Sequence, residues 1–300
     1  MYSWGDGMED WKRPGAYRFD EARKAARKAD AEKARAEGPR TYHNRNKPVY
    51  DLIDPRRSIS SKSRNPLVVA VDVTGSMQTW PFEIFDRLPL LYQTLSQYRQ
   101  DLEVSFAAIG DVQSDEYPLQ VTDFARGFDL EQQLKALYGE GGGGDSPEDY
   151  GMFALYAQHK IVLSRTEDTP FMIVFGDVTM HEKHTTTQIK ALLDLDVQGD
   201  VNAVKAWQQV AKIWNVWFLR RPGGKRGDST DQQWAEAIGE QKVVHITEEP
   251  RAVDFAMGLV ARHWGKMDDF KQNMKARQED KVVDGVVHSI LSIDDSSLRR

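Results

Sequence analysis

Asp72, Thr74 and Ser76, at alternate positions, carry the most chemical information in this chain. One carboxylate and two hydroxyls on a tight turn make a set of hard oxygen donors, suited to Mg2+ or Mn2+. Two further clusters of the same kind follow. Gly141, Gly142, Gly143 and Gly144 run into Asp145, Ser146, Pro147 and Glu148. Successive glycines let a backbone approach an ion without a side-chain clash. Gly176 and Asp177 lead into Val178, Thr179, Met180 and His181.

Each cluster needs an element to position it. Residues 67–71 (LVVAV) are an apolar, β-branched run that ends abruptly at Asp72, and Phe82, Phe85, Leu88, Leu91 and Leu95 then recur at helical spacing. The pattern predicts a buried strand that delivers Asp72, Thr74 and Ser76 to its carboxyl end, where a helix begins. Pro81 fits a first helical turn, whereas Pro89 predicts a kink or break. Further strands are expected over residues 102–109, 119–121, 171–175, 215–219 and 243–246. Helices are expected over 129–138, from Pro147 to about 163, then over 186–193, 201–213, 230–239 and 250–264. Strands and helices alternate throughout, which predicts a doubly wound, mostly parallel α/β sheet with helices on both faces. In such a sheet ligands bind at the carboxyl ends of the strands.

The flanks differ from this middle. Residues 1–65 read as a charged helical arm and linker, with an Ala/Lys/Arg/Glu-rich tract over 20–37 and a serine-rich stretch over 58–63. Residues 66–265 are the regular domain. Residues 266–300 form a helical tail in which Val282, Val283, Val286, Val287, Ile290 and Leu291 make an apolar stripe, able to pack on the domain or to meet something else.

The three clusters in this order resemble the von Willebrand factor A domain and its metal-ion-dependent adhesion site, over roughly residues 67–265. The family's Asp-x-Ser-x-Ser is matched by Asp72, Thr74 and Ser76. Its aspartate at the end of a buried strand is matched by Asp177. Where the family's middle loop usually carries a threonine, this chain has Asp145 with Ser146 beside it, within a Gly-Gly-Gly-Asp-x-Pro-Glu form typical of a prokaryotic branch. The resemblance implies that Thr74 and Ser76 bind Mg2+ (or Mn2+ or Ca2+) directly, while Asp72 and Asp177 bind it or hold its waters. Asp145 either joins the metal site or caps the helix that follows, since aspartate is a favoured N-cap residue. As a ligand it makes this an unusually acidic version of the site. Ser146, His181, Trp80 and Asp111 are candidates for the rim or for positions behind the metal ligands. A plain loop histidine is the equal alternative for His181 and core packing for Trp80, while a solvated loop is the leading reading for Asp111.

Catalytic patterns are missing by comparison. His181-x-x-His184 is not the His-Glu-x-x-His of a zinc protease. Thr74 stands where a haloacid-dehalogenase phosphatase needs a second aspartate, and neither a Gly-x-x-x-x-Gly-Lys-Ser/Thr loop nor a Ser/His/Asp arrangement is recognisable. Arg220, Arg221, Lys225 and Arg226 read as a basic, glycine-rich turn.

Bulk properties narrow the class further. The chain has 300 residues, 40% hydrophobic and 29% charged, with no cysteine and a formal net charge of -6. Disulfides and thiolate metal sites are excluded, and a reducing compartment fits. Nothing in the charge points to nucleic acid. No apolar run approaches the roughly 20 residues that span a bilayer, and the first residues do not resemble a secretory signal. The expectation is a cytoplasmic, non-enzymatic module that binds another protein's acidic residue through a divalent cation, as an adaptor or subunit of a larger system. In prokaryotes such domains often accompany AAA+ ATPases. Two alternatives stand beside it: a Mg2+-dependent phosphoester hydrolase using the same loops, with only Lys183 and His181 as nearby cations, and a structural subunit with a degenerate metal site.

Overall fold

A computed structural model describes residues 49–139, 147–165 and 169–294. The arm up to residue 48, together with Asp145 and Ser146, lies outside these residues.

Near the start are a single helical turn, α1 (Tyr50–Ile53), and a short strand, β1 (Ile59–Ser61). The strand β2 (Pro66–Asp72) and the helix α2 (Trp80–Ser96) follow, then β3 (Glu103–Ile109), β4 (Leu119–Val121) and α3 (Asp129–Ala136). After them come α4 (Tyr150–His159), β5 (Ile161–Leu163) and β6 (Phe171–Gly176). After these lie β7 (Lys183–His184), α5 (Thr186–Leu193), β8 (Val201–Asn202), α6 (Ala203–Val210), β9 (Asn215–Arg220), α7 (Ser229–Ile238) and β10 (Val243–His245). Three helices close the chain: α8 (Ala252–His263), α9 (Met267–Lys275) and α10 (Asp280–Leu291).

Six strands form the central sheet in the order β10-β9-β6-β2-β3-β4. All neighbours are parallel except β4, which runs antiparallel to β3 at the edge. From β2 the chain builds outward through β3 and β4, then crosses back to β6 on the other side of β2. The strand order therefore reverses between β2 and β6, and a crevice opens at their carboxyl ends. Asp72 and Asp177 flank it.

Both faces of the sheet are covered, which explains the unbroken apolar runs. Leu67, Val69 and Val71 pack with α2, α3, α8, α9 and α10, while the alternate residues Val68 and Ala70 pack with α4, α5, α6 and α7. Within the C-terminal stripe, Val283, Val286, Val287 and Ile290 are buried in the first of these layers, against the domain.

The expected fold class is the one observed, but several boundaries differ. Pro89 does not break α2, which continues to Ser96 with Leu88, Pro89, Leu90 and Leu91 all buried. Packing along the helix outweighs the backbone hydrogen bond that proline cannot donate. The helix expected from Pro147 to about 163 starts at Tyr150 and stops at His159. Its β-branched end, Ile161-Val162-Leu163, instead pairs in parallel with Ile59–Ser61 inside the stretch that reads as linker. The helix expected from residue 201 begins at Ala203, because Asn202 caps it by accepting from the Lys205 N–H at 2.9 Å.

Candidate metal centre

The turn after β2 is organised by Asp72 itself. Its Oδ1 accepts the Thr74 N–H at 2.9 Å and the Thr74 hydroxyl at 2.6 Å. An aspartate bonding the backbone two residues on is a local turn-former that needs nothing further. The turn then lines up hydroxyls. Thr74 Oγ1 lies 3.4 Å from Ser76 Oγ, and Ser76 Oγ donates to Asp177 Oδ1 at 2.9 Å. Four residues from two adjacent strand ends thus form one connected row, from fully buried Asp72 to exposed Ser76.

The segment after the glycines adds two groups that were not among the expected metal ligands. Glu148 is buried, and its Oε2 has no hydrogen-bond partner. It is held by backbone pairing to the third loop: Glu148 N–H donates to Thr179 at 3.0 Å, and His181 N–H donates to Glu148 at 3.0 Å. The Pro-Glu that ends the glycine motif was the available signal for it. Tyr150, one residue into α4, donates its hydroxyl to Asp72 Oδ2. An aromatic in an apolar helix reads as core, so no pattern would have marked it.

These carboxyls have too little positive charge around them. Burial, reinforced by Asp177, pushes Asp72 up to about 7. Burial and the charge of Asp72 push Glu148 up to about 9. Asp177 is also raised by burial, with Ser76 and Arg221 opposing. Arg221 is the one cation at this mouth with contacts into it among the described residues: its guanidinium donates to the Ser76 carbonyl and, at 2.8 Å, to Glu249. Oxygen donors only, buried carboxyls resisting ionisation and an unpartnered Glu148 oxygen together fit a hard divalent cation.

A second group lies close by. Ligand atoms of Asp111, Asp149 and His181 all fall within 4.8 Å of one another, a set able to hold a metal. Asp111 is therefore buried rather than solvated. His181 has Asp111 as its partner, at 3.4 Å. Trp80 is not at the rim: it is fully buried, its indole N–H donates to the Glu249 carbonyl at 3.0 Å, and its ring meets Phe175 edge-on. In the basic turn Lys225 and Arg226 are exposed, whereas Arg220 is buried in β9 and paired with Asp228 and Asp231, both at 2.6 Å. Lys183 is exposed on β7.

The architecture is a doubly wound α/β fold with an oxygen-rich cluster at its switch point, as the resemblance to von Willebrand factor A domains implies. Among solved structures, the chain is similar to proximal thread matrix protein 1 from the mussel byssus, at 8% identity and a TM-score of 0.48 over 70% of this chain and 49% of that one. It is also similar to the pilus adhesin SpaC from Lactobacillus rhamnosus GG, at 10% identity and a TM-score of 0.46 over 72% of this chain and 32% of that one. The chain matches about half the length of the first and a third of the second. No family profile and no curated protein matches the sequence. Among the described residues, no helix is long and apolar enough to cross a membrane.

Proposed function

We propose that this protein is a metal-dependent protein-binding module, whose divalent cation sits among Asp72, Thr74, Ser76 and Asp177 and is completed by an acidic residue of a partner protein. The reading rests on one observation: these four side chains, 101 residues apart at the Ser76–Asp177 contact, meet in one hydrogen-bonded row that is buried at one end and open at the other. Glu148 is placed to add a carboxylate, and Asp145 is the further acid that the sequence offers. The ion is Mg2+, Mn2+ or Ca2+, all of which take oxygen ligands. Residues 66–265 would be the binding unit, working in the cytoplasm as an adaptor or subunit, with an AAA+ ATPase one candidate partner.

The test is thermal melting of the full chain with each cation and with EDTA, followed by Mg2+-dependent capture from native extract. A ligand that binds only the folded state raises the melting temperature. The expected result is a rise with metal that Ser76→Ala and Asp177→Asn abolish together with capture. No response to any of the three cations would leave a structural subunit with a degenerate site.

Arg221 favours a second reading, a Mg2+-dependent phosphoester hydrolase, because it supplies a cation at the mouth of the site. Turnover of generic phosphoesters that is lost in Arg221→Ala and Asp177→Asn would replace the first reading.

A further inference from the structure

A histidine stands beside an otherwise all-oxygen region, and it sits with two carboxyls that the proposed adhesion site does not use. Asp111 is at the end of β3, Asp149 immediately precedes α4, and His181 follows β6. Two strand-end loops and the start of α4 therefore converge on one point. Asp111 and Asp149 are each only 2% exposed, and His181 leaves one side open to solvent.

Two features set this group apart from an ordinary acidic cluster. First, carboxylate oxygens of the buried Asp111 and Asp149 lie within 4.8 Å of each other. Two ionised carboxylates are acceptors only, so something positive must stand between or beside them. Second, neighbouring Glu148, also 2% exposed, has a carboxylate oxygen with no hydrogen-bond partner and lies within electrostatic reach of Asp111.

The surroundings also look built. Asp149 is oriented by the Val112 N–H, which donates to its Oδ2, and by His184 Nδ1, which lies 3.3 Å from its Oδ1. Asp111 is held by the Gln113 N–H at 3.1 Å and the Ser114 hydroxyl at 3.0 Å. Such outer contacts fix the direction of ligating groups. The 4.8 Å spread of the donor atoms is close to the roughly 4.2 Å across an octahedral ion with bonds of about 2.1 Å.

We propose that Asp111, Asp149 and His181 form a second cation site, separate from the adhesion-type row, that prefers a divalent transition metal such as Fe2+ or Zn2+ over Mg2+. The imidazole sets the preference, because nitrogen donors favour these ions while carboxylate and water suffice for Mg2+. The other possible occupant is a proton shared by the two carboxyls.

Mn2+ alone, added to the metal-free full chain, separates the two occupants. Pulsed electron paramagnetic resonance detects an imidazole nitrogen bound to Mn2+, a signal that an all-oxygen site cannot give. Wild type is expected to bind two Mn2+ and to show nitrogen coupling. His181→Ala and the polar variant His181→Gln should each lose the coupling and one equivalent of Mn2+, and Ser76→Ala should keep the coupling. Absence of nitrogen coupling in wild type, or its survival in both His181 variants, would overturn the proposal. A wild type that binds a single Mn2+ with nitrogen coupling, unchanged in Ser76→Ala, would count against the adhesion-type reading and leave this site standing.

Discussion

Tyr150 donates its hydroxyl to Asp72 Oδ2 deep beneath the candidate site, while Thr74 occupies Oδ1 of the same carboxylate. The start of α4 is thereby tied to the end of β2, and the turn that carries the hydroxyls inherits the position of that helix. Both Asp72 oxygens are engaged by protein donors, so this aspartate holds the geometry of Thr74 as much as it offers a ligand. Tyr150→Phe removes one hydrogen bond to a buried carboxyl and nothing else of size. It should destabilise the metal-free protein by about 1.5–3 kcal/mol, read from urea unfolding in EDTA. A loss within the error of that measurement would show the contact to be energetically idle.

Gly176 explains how Tyr150 reaches so far. A Cβ at this position would overlap the Tyr150 hydroxyl, with the ring Cζ only 2.9 Å away and Phe218 Cε2 at 3.0 Å. Gly176→Ala should therefore push the phenol off Asp72 and cost about 1–3 kcal/mol by overpacking. Combined with Tyr150→Phe it should cost less than the sum of the two single changes, because the hydroxyl that clashes is already gone. Additive losses in the double-mutant cycle would mean that Gly176 acts through other neighbours.

The charge imbalance has a pH signature. Asp72, at about 7, and Glu148, at about 9, both lie above their values in an unfolded chain. The folded state then binds protons more tightly, so its stability falls as pH rises through these values. His184, depressed to about 4 by burial and His181, acts in the opposite sense, but only below its unfolded value of 6.5. Between pH 6.5 and 9 the carboxyls act alone. In EDTA the melting temperature should decline across that window, and saturating Mg2+ should flatten the decline, since the ion replaces the proton as counter-charge. A metal-free melting temperature that rises from pH 6.5 to 9 would contradict the account.

How much of this was legible in the sequence follows from which residues work locally. Asp72, Thr74, Ser76 and Asp177 sit at the ends of long apolar strands, so both the strands and the switch point that joins them could be read from the pattern. Glu148, Asp149 and Tyr150 depend on how α4 docks, and a helix buried on nearly every side has no polar stripe to show its orientation. Trp80 was ambiguous for a related reason. One turn beyond a site, an aromatic points either to the mouth or to the core, and only the packing with Phe175 decides. The pairing of Ile161–Leu163 with Ile59–Ser61 was illegible because 102 residues separate the partners (Ile59 from Ile161) and each strand is very short.

Asp254 carries the largest expected effect away from the site. It is fully buried on α8, and Arg87 Nη2 lies 3.1 Å from each of its oxygens while Arg251 Nη1 donates at 3.2 Å. Arg277 stands 3.8 Å away. Burial pushes this carboxyl up, yet Arg87, Arg277 and Arg251 together hold it below the usual range. This cluster joins α2 to α8 beneath the end helices, so it also fixes the layer on which α9 and α10 rest. Asp254→Ala would leave guanidinium groups facing one another without their central anion. Removing one member of a buried ion pair costs about 3–5 kcal/mol, against about 0.5 kcal/mol or less for a surface change such as Lys135→Ala. The expected result is a sharp loss of stability in Asp254→Ala, with the chain recovering its stability best when Arg87 is also replaced by an apolar side chain of similar length, Arg87→Met. Equal stability of Asp254→Ala and Lys135→Ala in urea would show that the arginines find their counter-charge elsewhere.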